Sequence, residues 1–442
     1  MTVITENKYA EAFQKLKKAP NSIEAMAFRR FEKMGIPNRK SEVYKYSNLN
    51  HFKDLSPSIA GNIPHKLPEY FTHEYLKDKN LLVTVNGIFA ENLSHFQEDD
   101  EGIHISCMCD ARKEFRDIVS AHYNETSKDH PDAFSEMNTA FAQCGIFIYA
   151  RKNAVAKKPI LVLNLAYKQE ANSFACQRNL IVLEENSEVE IIEDYLNLDE
   201  EETFNLNHFS EFYIADNARL KLNIYQEEDN KFHFIGNKFF ELGNNSTLKA
   251  STLNFAGKFI RNNFRVNLNG ENGEVTLNGV FINENEDHTD SRILISHNAP
   301  HCQSFQTYKG ILNDQSTGVF NGKVYVAEGA QKTNAYQSNK NILLSEEATI
   351  NTKPELEIYA DDVKCSHGAT CGQLDENAIF YAETRGIPRE KAKKLIVFAF
   401  AQEVVQAIDN EDFKNFMERR LVHKLSLAEY STFEAVQSGL KE

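Results

Sequence analysis

The sequence predicts a mainly β chain: a parallel β-solenoid with helical regions at both ends. Three observations carry that reading. A tract at 157–364 consists of short apolar alternations broken by Asn, Gly, Asp and Ser. A unit inside it recurs about every 30 residues. Apolar residues before and after it recur at helical spacing. At roughly 150 residues per domain, 442 residues make about three domains or one elongated body. The changes of texture divide the chain into 1–150, a mixed and largely helical region; 151–368, the solenoid; and 369–442, a C-terminal helical domain.

The first predicted helix, 6–19, places Tyr9, Ala12, Phe13 and Leu16 on one face, and the second places Ile23, Met26, Ala27 and Phe31 on its own. Ser22 can cap the second helix, and Gly35 with Pro37 can end it. A connection rich in proline (Pro57, Pro64, Pro68) leads to 81–90, LLVTVNGIFA, which is β-branched around an Asn-Gly turn. Residues 133–142 read as helix again.

In the β tract, a turn of Asn, Asp or Glu leads repeatedly into an apolar–polar–apolar triplet. It occurs around Val189, Leu220, Leu248, Val275, Val319 and Ile350, at intervals of 31, 28, 27, 44 and 31 residues. Such a period, carrying only strands and turns, fits coils that bury their apolar side chains against the next coil. A β-sandwich is the alternative, with turn signals every 8–12 residues and tight hairpins, and parts of the tract fit it too.

Helix returns at 374–385, which ends at Gly386, and Pro388 suits the first turn of the next helix. There Ala392, Leu395, Ile396, Ala399, Phe400, Val404, Ala407 and Ile408 form one wide apolar face. A last helical stretch is predicted at 412–436.

Composition excludes several functions. A formal charge of −15 repels phosphate backbones and anionic headgroups, against a nucleic-acid or membrane-surface partner. The longest apolar run, 395–401, is far short of the roughly 20 residues of a membrane span. The first twenty residues lack the apolar stretch of a secretion signal, which predicts a cytoplasmic protein. Seven cysteines are too few and too scattered for a disulfide framework. No GxxxxGK[ST] phosphate loop, GxGxxG, G-x-S-x-G or H-E-x-x-H occurs, so nucleotide hydrolysis, where needed, belongs to a partner.

Residues competent for metal chemistry concentrate at Cys365-Ser366-His367-Gly368-Ala369-Thr370-Cys371, a C-x-H-x3-C arrangement after the last repeat. Thiolate and imidazole suit zinc, iron or copper(I), and residues 365 and 367 share a face if the segment is extended. The spacing lacks the second ligand pair of a zinc finger, so a buried thiol beside a hydrogen-bonded histidine stands as the alternative. A second group, Glu286, Asp287, His288 and Asp290 with His297, His301 and Cys302, is either a carboxylate–imidazole site or a solvated acidic loop. Cys107 and Cys109 fall on one face of a predicted strand, an isolated pair that reads as packing. Cys144 and Cys176 sit among apolar residues and read as core.

The string TKPELEIYADDVKCSHGATCGQLDENAIFYAETRGI from Thr352, with AKKLIVFAFAQEV after it, closely resembles the closing signature of the SufB/SufD family of iron–sulfur cluster assembly proteins. HNAPHCQSFQTYKGILNDQSTGVFNGKVYV (297–326), MNTAF (137–141) and EVYKY (42–46) are similar to further family segments, with Tyr44 where a tryptophan is common. Gly368 follows the histidine where the SufB side of the family carries glutamate. Tyr336-Gln337-Ser338-Asn339-Lys340 stands where the scaffold has a functional cysteine. The resemblance is therefore to the SufD side.

That resemblance implies a right-handed parallel β-helix. It implies pairing with a SufB-type scaffold and docking of a SufC-type ABC ATPase by the C-terminal helices, in a non-catalytic assembly role. Cys365 and His367 would lie near the interface as ligands of transient iron or a nascent cluster. ATP binding would dimerise the ATPase subunits and rearrange the pair. A reduced flavin is associated with such complexes, although no flavin motif stands in this sequence. An exposed solenoid edge also favours a homodimer of the chain alone. Two readings compete: a β-helix polysaccharide lyase or hydrolase using Glu286, Asp287 and Asp290, and a stand-alone zinc protein using Cys365, His367 and Cys371.

Overall fold

A computed structural model describes residues 2–58, 63–67, 80–96, 102–126, 132–198, 203–227 and 231–427. Two stacks of strands face each other. One runs, in spatial order, Thr349–Ile358, Thr317–Val326, His288–His297, Phe259–Leu268, Phe232–Leu242, Phe204–Ile214, Ser173–Leu183, Ile146–Ala150 and Ile103–Cys107. The other runs Lys364–Gly372, Asn334–Leu343, Gln303–Leu312, Glu274–Asn283, Thr247–Ala256, Arg219–Glu227, Glu188–Asn197, Ile160–Ala166, Asn80–Val85 and Ile88–Phe89. Neighbours within each stack are parallel except the last pair, which is antiparallel in both. The chain alternates between stacks, so each coil contributes one strand to each sheet: this is the predicted parallel solenoid.

The repeat has a direct structural cause. Val189, Leu220, Leu248 and Val275 stand in register on successive strands of the second sheet, facing inward in the core between the sheets. The next residue of that column is Ser304, whose polar side chain hides it from an apolar search. The interval of 44 arises because Val319 belongs to the other sheet, where Ile350 pairs with its neighbour Gly318. Before each inward triplet the chain turns through the left-handed region at Asn186, Asn217, Asn245 and Asn272, with φ of 62°, 59°, 53° and 58°. Asparagine tolerates that conformation better than other residues with a Cβ, which explains the Asn-rich turns. A buried Leu, Ile or Phe contributes about 1.5–3 kcal/mol, and the inner column repeats it coil after coil.

Helices cover both outer faces. At the N-terminus, Thr2–Lys15 buries Tyr9 and Ala12. Ile23–Met34 follows, capped by the Ser22 hydroxyl oxygen, which accepts from the Ala25 N–H at 3.1 Å, and it ends at Gly35 with φ 64°. Its buried face is Ala27, Phe28 and Phe31; Ile23 and Met26, predicted to share it, are exposed. With Ala133–Phe141 these helices form one aromatic cluster against Phe174, Ile235 and Phe259 of the first sheet. The predicted Asn-Gly turn is the Asn86-Gly87 link between Asn80–Val85 and Ile88–Phe89.

At the other end, helices Glu376–Thr384, Arg389–Val405 and Glu411–Lys424 fold back along the chain. The middle helix is apolar on more than one side. Ala392, Val397, Ala401, Val404 and Val405 are its buried residues, packed on Leu253, Val280 and Ile311 of the second sheet, whereas Ala399, assigned to the buried face from spacing, is exposed. Pro68 and the predicted helical residues 428–436 lie outside the described residues.

Candidate functional site

Thr349–Ile358 and Lys364–Gly372 end their sheets: each pairs with one neighbour, Thr317–Val326 and Asn334–Leu343 respectively. Their other edges carry no partner strand among the described residues. Long uncovered edges are templates for further pairing, and this terminus is also rich in exposed rings and apolar groups, Tyr336, Ile358 and Tyr359.

Cys365, His367 and Cys371 all lie on the last strand. In register they stand beside Ala335, Gln337 and Asn341, each of which is buried in the penultimate coil. Alternation of side chains places residues 365, 367, 369 and 371 on that same inner face. A terminal coil has a neighbour on one side only, so His367 and Cys371 are exposed and Cys365 is half-buried. Cys365 packs against the small cluster of Val324, Val326 and Ala330, and burial pushes its thiol above the ordinary range. The strand thus brings residues 365 and 367 to one face, as their spacing requires.

The second predicted cluster does not assemble. Glu286 is exposed and paired with Lys258 at 2.7 Å, while Asp287 is buried at a turn, where burial pushes its carboxyl up to about 6. Asp290 forms a buried ion pair with Arg261 and a hydrogen bond with Ser47. His297 turns inward, is fully buried, and meets the Ser304 hydroxyl at 2.8 Å. Cys302 is buried with its thiol on the Gly270 carbonyl at 3.2 Å. These acids have structural partners and share no cleft.

Two segments of the family signature serve architecture. Tyr44 of EVYKY is buried beneath the Arg261 guanidinium, 4.2 Å from its ring, and its hydroxyl reaches Asp132. Asn138 of MNTAF donates to the carbonyls of Gln177 and Asn207 at 2.9 and 2.8 Å, fixing its helix across two strands. Both motifs fasten the N-terminal region to the coil.

Sequence reasoning missed one convergence. Cys107 closes a strand and Cys109 lies in the helix that follows, not on a common strand face, and Cys144 is half-buried beside them rather than in the core. Their sulfur atoms lie within 4.8 Å of one another. A hydrogen bond with Cys144, aided by Arg112, pulls the Cys109 thiol down to about 6. Among the described residues the structure gathers three such ligand atoms here and not at Cys365, His367 and Cys371.

The N-terminal region of SufBD proteins matches residues 6–162, and the SufBD core domain of SUF-system FeS cluster assembly matches residues 166–400. The chain is 32% identical over 396 residues to the iron-sulfur cluster assembly protein SufD of Escherichia coli, covering 88% of this chain and 90% of the relative. It is 34% identical to the chloroplastic protein ABCI7 of Arabidopsis thaliana, over 86% and 80% of the two chains. It is 26% identical to SufD of Bacillus subtilis, over 92% and 95%. With both domains matched in sequence and the parallel solenoid beneath them, the chain belongs to the SufBD family of SUF-system iron–sulfur cluster assembly proteins.

Proposed function

We propose that this chain is the SufD-type, non-catalytic member of a cytoplasmic SUF assembly complex. It pairs through the open end of its solenoid with a SufB-type scaffold and docks a SufC-type ABC ATPase on its C-terminal helices. The observation that carries this reading is the uncovered terminus: two edge strands, one of them bearing Cys365 and His367 at the end of an otherwise packed column. A thiolate and an imidazole are half of a coordination set. Ligands from the partner would complete it, and iron or the nascent cluster passes through as substrate.

The C-terminal helices suit the transmission of force. Lys309 on the strand Gln303–Leu312 bonds the Phe400 carbonyl at 2.8 Å and pairs with Glu403, Arg420 pairs with Glu227, and Lys424 pairs with Glu284 at 2.7 Å. Displacement of these helices by a dimerising ATPase would therefore reach the coils. Phe380 and Tyr381, 66% and 61% exposed on Glu376–Thr384, supply an apolar face for that partner.

The test is co-expression with a SufB-type scaffold and a SufC-type ATPase followed by purification on one tag. A stable three-component complex is expected, with the scaffold lost on substituting residues of Lys364–Gly372 and the ATPase lost on Phe380→Asp with Tyr381→Asp. Failure of the native chain to associate with either protein overturns the reading.

A further inference from the structure

The three-thiol cluster lies at the opposite end of the solenoid from Cys365, beside the strand Ile103–Cys107 that ends the first sheet. Its geometry is fixed by rigid elements. Cys107 is the last residue of that strand and the N-cap of helix Met108–Glu114, where its sulfur accepts from the Asp110 N–H at 3.4 Å. Cys109 is in the first turn, and its N–H points at the Cys144 sulfur at 3.3 Å. Cys144 comes from a segment 35 residues further on, brought here because Cys107 pairs with Ile146 in an antiparallel ladder and the Met108 N–H donates to the Gly145 carbonyl at 2.9 Å. Gly145 also lies tight against the neighbouring strand Ser173–Leu183, where a Cβ would fall 1.8 Å from the Arg178 carbonyl oxygen.

Packing accounts for part of the arrangement, since Cys107 and Cys144 each touch an apolar cluster, but not for Cys109. A packed cysteine is a small buried hydrophobe, as Cys176 is, whereas Cys109 is exposed and Cys107 and Cys144 are half-buried. None is in a disulfide. Three sulfurs on one tetrahedral zinc, with Zn–S near 2.3 Å, sit about 3.8 Å apart. Atoms already within 4.8 Å reach that spacing through small side-chain rotations. The Asp110 carboxylate accepts from the Cys107 thiol at 3.1 Å and pairs with Lys113 at 2.8 Å, but it stands outside the group of three sulfurs, so the fourth position is left to water or an external ligand.

We propose that Cys107, Cys109 and Cys144 bind one Zn²⁺ through their thiolates, with water or an external ligand in the fourth position. A thiol-dominated tetrahedral set selects zinc over the hard cations, and each thiol gives up its proton on binding. The ion would tie the strand end, the helix start and the segment before Ile146–Ala150 together at the point where the first sheet stops.

The experiment uses the full chain, stripped with a chelator under reductant and titrated with Zn²⁺ against a chromogenic competitor, then with Co²⁺, whose sulfur charge-transfer absorption reports thiolate ligands. One equivalent per chain is expected, with that absorption present. Cys109→Ser, an exposed change that spares the fold, and Cys144→Ser should each weaken binding by more than about 100-fold, beyond what outer-shell changes give. Cys365→Ser with Cys371→Ser should leave it unchanged. The proposal is overturned if no stoichiometric metal binds the reduced chain, if Cys109→Ser binds as the native protein does, or if uptake follows Cys365. It is overturned equally if oxidised protein yields a Cys109–Cys144 disulfide and the reduced form still takes up no zinc.

Discussion

His367 stands in parallel register with Gln337, and Gln337 in turn with Gln306, to whose side-chain oxygen it donates at 3.2 Å. The imidazole therefore tops a column of two buried amides, with no strand above it among the described residues. Because the side chain is exposed, His367→Ala should change stability by no more than about 0.5 kcal/mol. In the assembled complex the same change should lower iron and sulfide per complex, measured by metal and acid-labile sulfide analysis. Unchanged yield would remove His367 from cluster handling.

Arg261 and Asp290, both almost fully buried, join the sheet to Ser47 and the Val43 carbonyl of the N-terminal region. Asp290→Ala would strand a guanidinium without its counter-charge, a loss of about 3–5 kcal/mol. Urea titration should show it. The double variant Arg261→Met with Asp290→Leu should recover part of the stability, since it removes both charges together.

Asn217 turns the chain at φ 59°. Alanine there costs about 1–2 kcal/mol in the left-handed region, whereas glycine adopts it freely. Asn217→Ala should lower the thermal midpoint and Asn217→Gly should not; equal losses would show that the asparagine side chain, not the backbone, matters.

Acid should destabilise the fold between about pH 6.5 and 4. Burial holds His297 down at about 4 and His233 at about 3, and pushes His208 well below the ordinary imidazole range, so all three stay neutral in the folded chain. Their stabilisation is complete above pH 6.5 and is lost as pH falls, because the unfolded chain takes up protons that the folded one refuses. For His297 the gap from 6.5 to about 4 corresponds to about 3 kcal/mol. Asp287, held up at about 6 by burial, acts in the opposite sense over the same range and is outweighed by the three imidazoles. His297→Gln should flatten the stability–pH curve measured by denaturant titration; an unaltered slope would reject this assignment.

The solenoid was legible because its columns are local in sequence: one period separates Val189 from Leu220, and a left-handed asparagine precedes each. The column blurred where Ser304 replaced an apolar residue, and helix faces were misplaced where apolar residues occur on several sides, as at Ala399. Cys365 and His367 could be singled out because a strand puts residues two apart on one face. The Cys107, Cys109 and Cys144 group could not, since an antiparallel pairing closes a gap of 35 residues that no spacing rule spans. The acids at 286–290 looked like a site because sequence shows charge density but not the separate partners, Lys258 and Arg261, that draw them apart.

At its first coils each sheet finishes with a strand running backwards, Ile88–Phe89 on one and Ile103–Cys107 on the other. Reversing the last strand breaks the parallel register there, whereas the edges of Thr349–Ile358 and Lys364–Gly372 continue it. The rod is therefore polar: one end presents strand edges in the register of the coil, the other presents strands that run against it, and the two offer different surfaces to whatever meets them.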